Sequence, residues 1–310
     1  MKWIKIVSVL ACMLLPVASP NAAEPGVVTV EQAIVEDPSH PPIPVASWAP
    51  ATGNGLPLVV ISHGTGGGMA SHLDTAQALA EAGFIVVAPT HPGDNFQDDA
   101  IVGHTSWFVD RSRHIAKVID YMFGQWAGHA RLGSASVGMF GFSAGGTTAL
   151  ISIGGVPDLS RIGRHCAQQP EFVCGILSLS DNQADEQSPE WSQDRRIAAA
   201  VIAAPGLGFA FDPIGLAHVQ VPVQLWSGTE DEAVPYATNA GVVRGLLPHA
   251  PDFHSVEGAA HLSFLAPCTP QTPPPLCQDP PGFDRVRFHQ DFNQALIAFF
   301  SRHLRSPSIE

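Results

Sequence analysis

Val137-Gly138-Met139-Phe140-Gly141-Phe142-Ser143-Ala144-Gly145-Gly146-Thr147-Thr148 is the stretch on which the fold turns. An apolar run leads into it, a helix-compatible run over residues 147–153 leaves it, and a serine stands at the corner between them. Glycines two positions before and two after Ser143 remove side chains that would collide where a strand bends sharply into a helix. The strain of such a turn holds the serine hydroxyl out at the top of a sheet. A bare Gly-x-Ser-x-Gly also arises by chance as an ordinary glycine turn. The strand before it, the helix after it and the partners downstream favour the strained corner.

A serine hydroxyl is a weak nucleophile at neutral pH, so the corner predicts a base, usually histidine, and a carboxylate that fixes its tautomer. With this type of turn the acid and then the histidine follow the serine along the chain. Residues 221–226 (Val-Pro-Val-Gln-Leu-Trp) read as a buried strand despite Pro222 near the start, and run into Ser227-Gly228-Thr229-Glu230-Asp231-Glu232. Asp231, three residues past Gly228 and just before Ala233-Val234-Pro235, is the expected acid; a turn or helix-capping aspartate is the bland alternative. Glu230 and Glu232 read as solvated turn residues. The last strand is expected over residues 252–256, and Gly258-Ala259-Ala260-His261-Leu262 follows it. Small residues there let the loop fold back over the serine, which makes His261 the expected base. His249 and His254 fall before or within that strand, and His289 and His303 in the terminal helical segment.

A serine mechanism also needs backbone N–H groups aimed at the charge that develops on a substrate carbonyl oxygen. The amide of Ala144, directly after the serine, is one expected donor. The second should come from the loop after an early strand. Leu58-Val59-Val60-Ile61 is such a strand, and it opens into Ser62-His63-Gly64-Thr65-Gly66-Gly67-Gly68. This glycine run lacks the Lys-Ser/Thr of a phosphate-binding loop and does not fit the dinucleotide fingerprint. It suits an oxyanion loop, with the Thr65 backbone as donor.

Four segments carry a family resemblance: residues 61–67, Val87-Ala88-Pro89-Thr90-His91-Pro92-Gly93-Asp94, the corner at 141–146, and the turns of Asp231 and His261. In them the chain resembles α/β-hydrolases of the group labelled predicted dienelactone hydrolases, and is similar to platelet-activating-factor acetylhydrolases. The resemblance runs from about residue 57 to 264. It implies the same oxyanion donors, Thr65 after His-Gly and Ala144 after the serine. Authentic dienelactone hydrolases use cysteine at the nucleophile position, where this chain has Ser143, so the label does not name a substrate.

Alternating apolar runs and amphipathic stretches predict an α/β fold: the α/β-hydrolase fold, a mostly parallel central sheet flanked by helices on both faces, with a small insertion after the serine's helix. Strands are expected over residues 27–31, 58–62, 84–88, 137–140, 198–203, 221–226 and 253–256. Helices are expected over 71–82, 111–123, 236–247 and 288–304. A proline-rich connector is expected through His40-Pro41-Pro42-Ile43-Pro44. Residues 154–195, polar and broken by Pro157, Pro170 and Pro189, read as a cap or insertion over the pocket within one catalytic domain over 24–310.

Residues 1–23 carry Lys2 and Lys5, an apolar stretch over 6–17 and small residues ending at Ala22-Ala23, which is the form of a secretory signal peptide. The apolar core is short for a membrane span. Val9-Leu10-Ala11-Cys12 loosely resembles a lipoprotein cleavage box, but apolar residues continue past Cys12, so export as a periplasmic or secreted protein is expected over lipid anchoring. Four cysteines remain. An even number in an exported chain favours disulfides, and Cys166–Cys174 with Cys268–Cys277 is the simplest of three pairings. The first pair lies in the insertion, the second in the proline-rich stretch 267–281. Without Cys-x-x-Cys or paired-histidine spacing no metal site is expected, and no cofactor is expected either.

The formal charge of −13, or −15 once Lys2 and Lys5 are lost, argues against nucleic acid and anionic membrane surfaces as partners. A neutral small-molecule ester is compatible with it. Two function classes follow. One is an exported serine hydrolase of carboxylic esters, with lactones or acetylated phospholipids as alternative substrates of the same mechanism. The other is a hydrolase-fold binding protein without chemistry, which the presence of all four catalytic elements disfavours. A Ser-Lys dyad is poorly supported, because Lys117 is the only lysine after the signal and lies in an expected helix. Monomer and dimer are left open by the sequence.

Overall fold

In a computed structural model, residues 26–104, 106–178 and 190–305 are described; the expected signal peptide and Cys12 lie outside them. The chain runs β1 (Val28–Val35), β2 (Ile43–Pro50), β3 (Leu56–Ser62), α1 (Leu73–Glu81), β4 (Ile85–Pro89), α2 (Ser106–Gly124), β5 (Leu132–Phe142) and α3 (Ala144–Ser152). It continues through α4 (Arg161–Gln168), α5 (Phe172–Ser178), β6 (Ile197–Ala203), α6 (Pro213–Leu216), β7 (Val223–Gly228), α7 (Ala240–Leu246), β8 (Asp252–Val256) and α8 (Arg285–Leu304). The strands form an eight-stranded sheet in the order β1-β2-β4-β3-β5-β6-β7-β8. β1 and β2 pair antiparallel with each other, and β2 pairs antiparallel with β4. All other neighbours are parallel, as helical crossovers demand.

The central strands are apolar at nearly every position because both of their faces are covered. Leu58 and Val60 of β3, with Val137 and Met139 of β5, pack on the side of α2 and α3 against Ile115, Val118, Ile119 and Leu150. The alternate residues Val59, Ile61, Phe140 and Phe142 pack on the other side, against α1 and α8. In α8 the buried face is written as Phe292, Leu296, Phe299 and Phe300, at helical spacing. Full burial of one such side chain stabilises by roughly 1.5–3 kcal/mol.

Two expectations need correction. The proline-rich connector through Pro44 conceals the start of β2, whose Ala46, Trp48 and Ala49 are buried. Pro44 sits at the beginning of that strand, where proline is tolerated, and its carbonyl accepts from Thr90 N at 2.8 Å. The helix expected over 236–247 is shorter, because residues 236–239 form turns closing on Pro235 O before α7 begins. Within residues 154–195, for which the sequence predicted no elements, lie α4 and α5. Elsewhere the shifts lie at the ends of elements: β1 runs on to Val35, β5 begins at Leu132 and ends at Phe142, and α8 begins three residues early because the Asp284 carboxylate accepts from Arg287 N at 2.9 Å.

Candidate active site

β5 carries the chain straight into the corner, and Ser143 takes φ 57° and ψ −120°. That left-handed conformation costs energy for a residue with a side chain, and here it aims the hydroxyl away from the sheet. Two of the flanking glycines are obligatory: a Cβ at Gly141 would collide with the carbonyl of Gly145, and one at Gly145 with the carbonyl of Ser62. The corner is pinned by Ser143 N donating to Ala203 O at 3.0 Å.

Asp231 follows β7, and His261 opens a short 3₁₀ turn, His261–Phe264, after β8. The three side chains meet in one line. His261 Nε2 lies 2.9 Å from Ser143 Oγ, and His261 Nδ1 lies 2.8 Å from Asp231 Oδ2. The second Asp231 oxygen accepts from Val234 N at 2.8 Å, so the carboxylate is held at both ends and its side chain is fully buried. Glu230 and Glu232 are exposed. His249 and His289 bond instead to Gln220 and Asp74, and His254 Nε2 stands 3.2 Å from Asp252 Oδ1.

Ser143 and His261 open into a cavity of about 330 Å³ that Thr65 and Ala144 also line. Gly64 lies directly against the serine, since a Cβ there would stand 3.1 Å from Ser143 Cβ, and this brings Thr65 beside Ser143. Neither the Thr65 nor the Ala144 amide hydrogen is bonded to an acceptor among the described residues. The walls are apolar, with Trp107 and Phe108 from α2, Phe172, Val173 and Ile176 from α5, and Leu207. Among the described residues of the wall, Glu171 is the one ionisable group besides His261; its two oxygens are taken by His165 Nε2 at 3.0 Å and Asn239 Nδ2 at 2.8 Å.

No protein-family model and no curated protein matches the chain. Solved structures do. A dienelactone hydrolase from Anabaena variabilis ATCC 29413 is similar with a TM-score of 0.56 at 17% identity, covering 90% of this chain and 99% of that one. A cold-adapted esterase from an Arctic intertidal metagenomic library gives 0.54 at 16% identity, covering 90% and 95%. Its PEG-bound complex gives 0.52 at 16% identity, with the same coverage. The fold is that of the α/β hydrolases.

Both cysteine pairs in this hydrolase fold are bonded, Cys166 to Cys174 with Cα atoms 5.5 Å apart and Cys268 to Cys277 with 5.9 Å. The first ties α4 to α5; the second lies beside Leu276, another wall residue.

Sequence reasoning missed a buried polar network behind the loop that carries Thr65. Asp94 and Arg111 form an ion pair, Nη1 to Oδ2 at 2.5 Å, with both side chains fully buried. Around it stand Ser62, His63, His91 and His114. Arg113 donates to His114 Nε2 at 3.1 Å, which leaves His114 Nδ1–H to donate to His91 Nδ1 at 3.2 Å and His91 Nε2–H to donate to Ser62 Oγ at 3.0 Å. His63 takes its own place, with Nδ1–H donating to Gly64 O at 2.6 Å and Nε2 accepting from His91 N at 3.1 Å. Every ring is thereby neutral. The segment ending in Thr90-His91-Pro92-Gly93-Asp94 was a visible signal, but nothing in one sequence names Arg111 as its partner.

Burial, reinforced by the Arg111 charge, lowers the pKa of His63 to about 3. Burial, reinforced by Arg113, lowers that of His114 to about 3, and burial lowers that of His72 to about 4. In the unfolded chain these groups titrate near 6.5. Between about 6.5 and 4 the unfolded state therefore binds protons that the folded state refuses, and stability falls as pH falls. Each such histidine contributes a slope of up to ~1.4 kcal/mol per pH unit. Urea midpoints measured from pH 7.5 to 4.5 should drop steadily; a flat profile contradicts neutral buried rings.

Proposed function

We propose that this chain is an exported serine hydrolase of carboxylic esters, working through an acyl-enzyme intermediate. The observation that carries the reading is the unbroken line Ser143 Oγ to His261 Nε2, and His261 Nδ1 to Asp231 Oδ2, at the floor of an apolar cavity. His261 takes the proton from Ser143 as Oγ attacks the ester carbon, and Asp231 stabilises the imidazolium that forms. The Thr65 and Ala144 amides receive the oxyanion. His261 then protonates the departing alcohol, and a water activated by the same imidazole releases the acid. Trp107, Phe108, Phe172, Val173, Ile176 and Leu207 favour an apolar acyl or alcohol group. Export is supported by the signal-like residues 1–23 and by two disulfides, which persist in oxidising compartments.

The reading is tested with p-nitrophenyl esters of increasing acyl length, one lactone and one amide, together with a fluorophosphonate probe mapped by peptide mass. Ester turnover with labelling at Ser143 is expected. Binding without turnover would favour the non-catalytic alternative, and a label on any other residue would reject the mechanism.

A further inference from the structure

The loop that carries Thr65 is built almost entirely of glycine, and Gly66 takes a positive φ of 69°. Such a segment has little intrinsic stiffness. An oxyanion donor nevertheless has to be fixed before charge develops, since a donor that must reorganise forfeits much of its effect. The donor pair also comes from two separate elements, the loop after β3 and the first turn of α3.

One buried ion pair touches both elements. Asp94 Oδ1 accepts from Gly66 N at 2.8 Å, one residue after Thr65. Arg111 Nη2 donates to the carbonyl of His63, two residues before Thr65, and reaches Ser62 Oγ at 3.3 Å. Arg111 Nε donates to Thr148 Oγ1 at 3.0 Å, and that hydroxyl donates to the carbonyl of Ala144 at 2.8 Å. Trp107 Nε1, on the cavity wall, donates to Asp94 Oδ2 at 2.6 Å. The loop is thus gripped on each side of Thr65, and the carbonyl of Ala144 is referenced to the same guanidinium.

We infer that Asp94 and Arg111 are positioning residues that set the distance between the Thr65 and Ala144 amides, with Thr148 as the link to α3. This goes beyond the proposed hydrolase activity and rests on it. Stability alone is a poor reason for the pair: removing two charges from water costs about as much as their attraction returns, and well-packed apolar replacements are often as stable. Fixed geometry for a glycine loop is something that apolar packing would not supply.

Two variants test the proposal. Asp94→Asn keeps the side-chain volume and an acceptor for Gly66 but discards the charge facing Arg111. Thr148→Val keeps the shape and removes the hydroxyl that joins Arg111 Nε to the Ala144 carbonyl, while the Asp94–Arg111 charges stay paired, so it remains informative if Asp94→Asn fails to fold. Complete loss of one oxyanion donor costs about 10²–10³ in kcat. A displaced donor should cost less: about 10-fold for Thr148→Val and about 100-fold for Asp94→Asn. KM should hold, and affinity for a trifluoromethyl ketone, whose adduct at Ser143 bears the oxyanion, should fall in parallel with kcat. Rates are taken per active site titrated, so that loss of folded protein does not register. A purely structural role predicts a lower melting temperature with kcat per site and ketone affinity within twofold of wild type, and that result overturns the proposal. Wild-type protein that neither turns over esters nor labels at Ser143 overturns the hydrolase reading and this proposal together. An active wild type matched by both variants overturns only the positioning role.

Discussion

Ser143→Ala should leave a folded protein whose kcat is lower by about 10⁶, the scale on which a triad loses its nucleophile. The alanine methyl fits the corner, because the backbone there is shaped by Gly141, Gly145 and the bond from the residue-143 amide to Ala203 O, none of which involves the hydroxyl. The φ of 57° is retained and what is lost is one part-buried hydrogen bond, from Ser143 Oγ to His261 Nε2, so the melting temperature should move little. On the proposed mechanism, binding in the cavity and the Thr65 and Ala144 amides survive the substitution and should sustain a residual rate above that in water. The check is kcat with a p-nitrophenyl ester beside fluorophosphonate labelling of the same preparation. Activity within tenfold of wild type would remove Ser143 from the mechanism.

Asp231→Asn should lower kcat by about 10⁴ with folding intact. The asparagine oxygen can still accept from Val234 N, as Asp231 Oδ1 does at 2.8 Å. Its amide nitrogen then faces His261 Nδ1 and donates to it, which places the ring proton on Nε2, opposite Ser143 Oγ. A protonated Nε2 cannot accept the serine proton. Glu230→Gln and Glu232→Gln, both at exposed positions, should stay near wild type. The reverse pattern, with Asp231→Asn active and one glutamate variant dead, would mean that the acid lies elsewhere in the turn.

The places of Ser143, Asp231 and His261 were legible because each follows its own strand within a few positions, and a strand end is written locally. β5 ends at Phe142 directly before Ser143, β7 runs to Gly228 just before Asp231, and β8 closes at Val256 before His261. The alternation that predicted a parallel sheet is local in the same sense. β2 was hidden because Pro42 and Pro44 suggest a connector, while the pairing that makes residues 43–50 a strand is supplied by β1 and β4. The two helices of the insertion were hidden by Pro157, Pro170 and Pro189, which mark breaks without telling what forms between them. The Asp94–Arg111 pair was hidden for another reason: seventeen residues separate its members, and only the packing of α2 beneath the oxyanion loop makes them neighbours.

The two disulfides divide the molecule into parts that can change at different rates. Glu171, Phe172 and Val173 lie inside the ring closed by Cys166 and Cys174, and Leu276 inside that closed by Cys268 and Cys277. Ser143, Asp231 and His261 lie in neither. Each ring is a cassette: its ends are fixed covalently, so the residues between them can be rewritten without moving the strand ends that carry the chemistry. Substrate range and catalytic power then become separately mutable, and randomising positions 167–173 and 269–276 is the economical library for redirecting this scaffold to new esters.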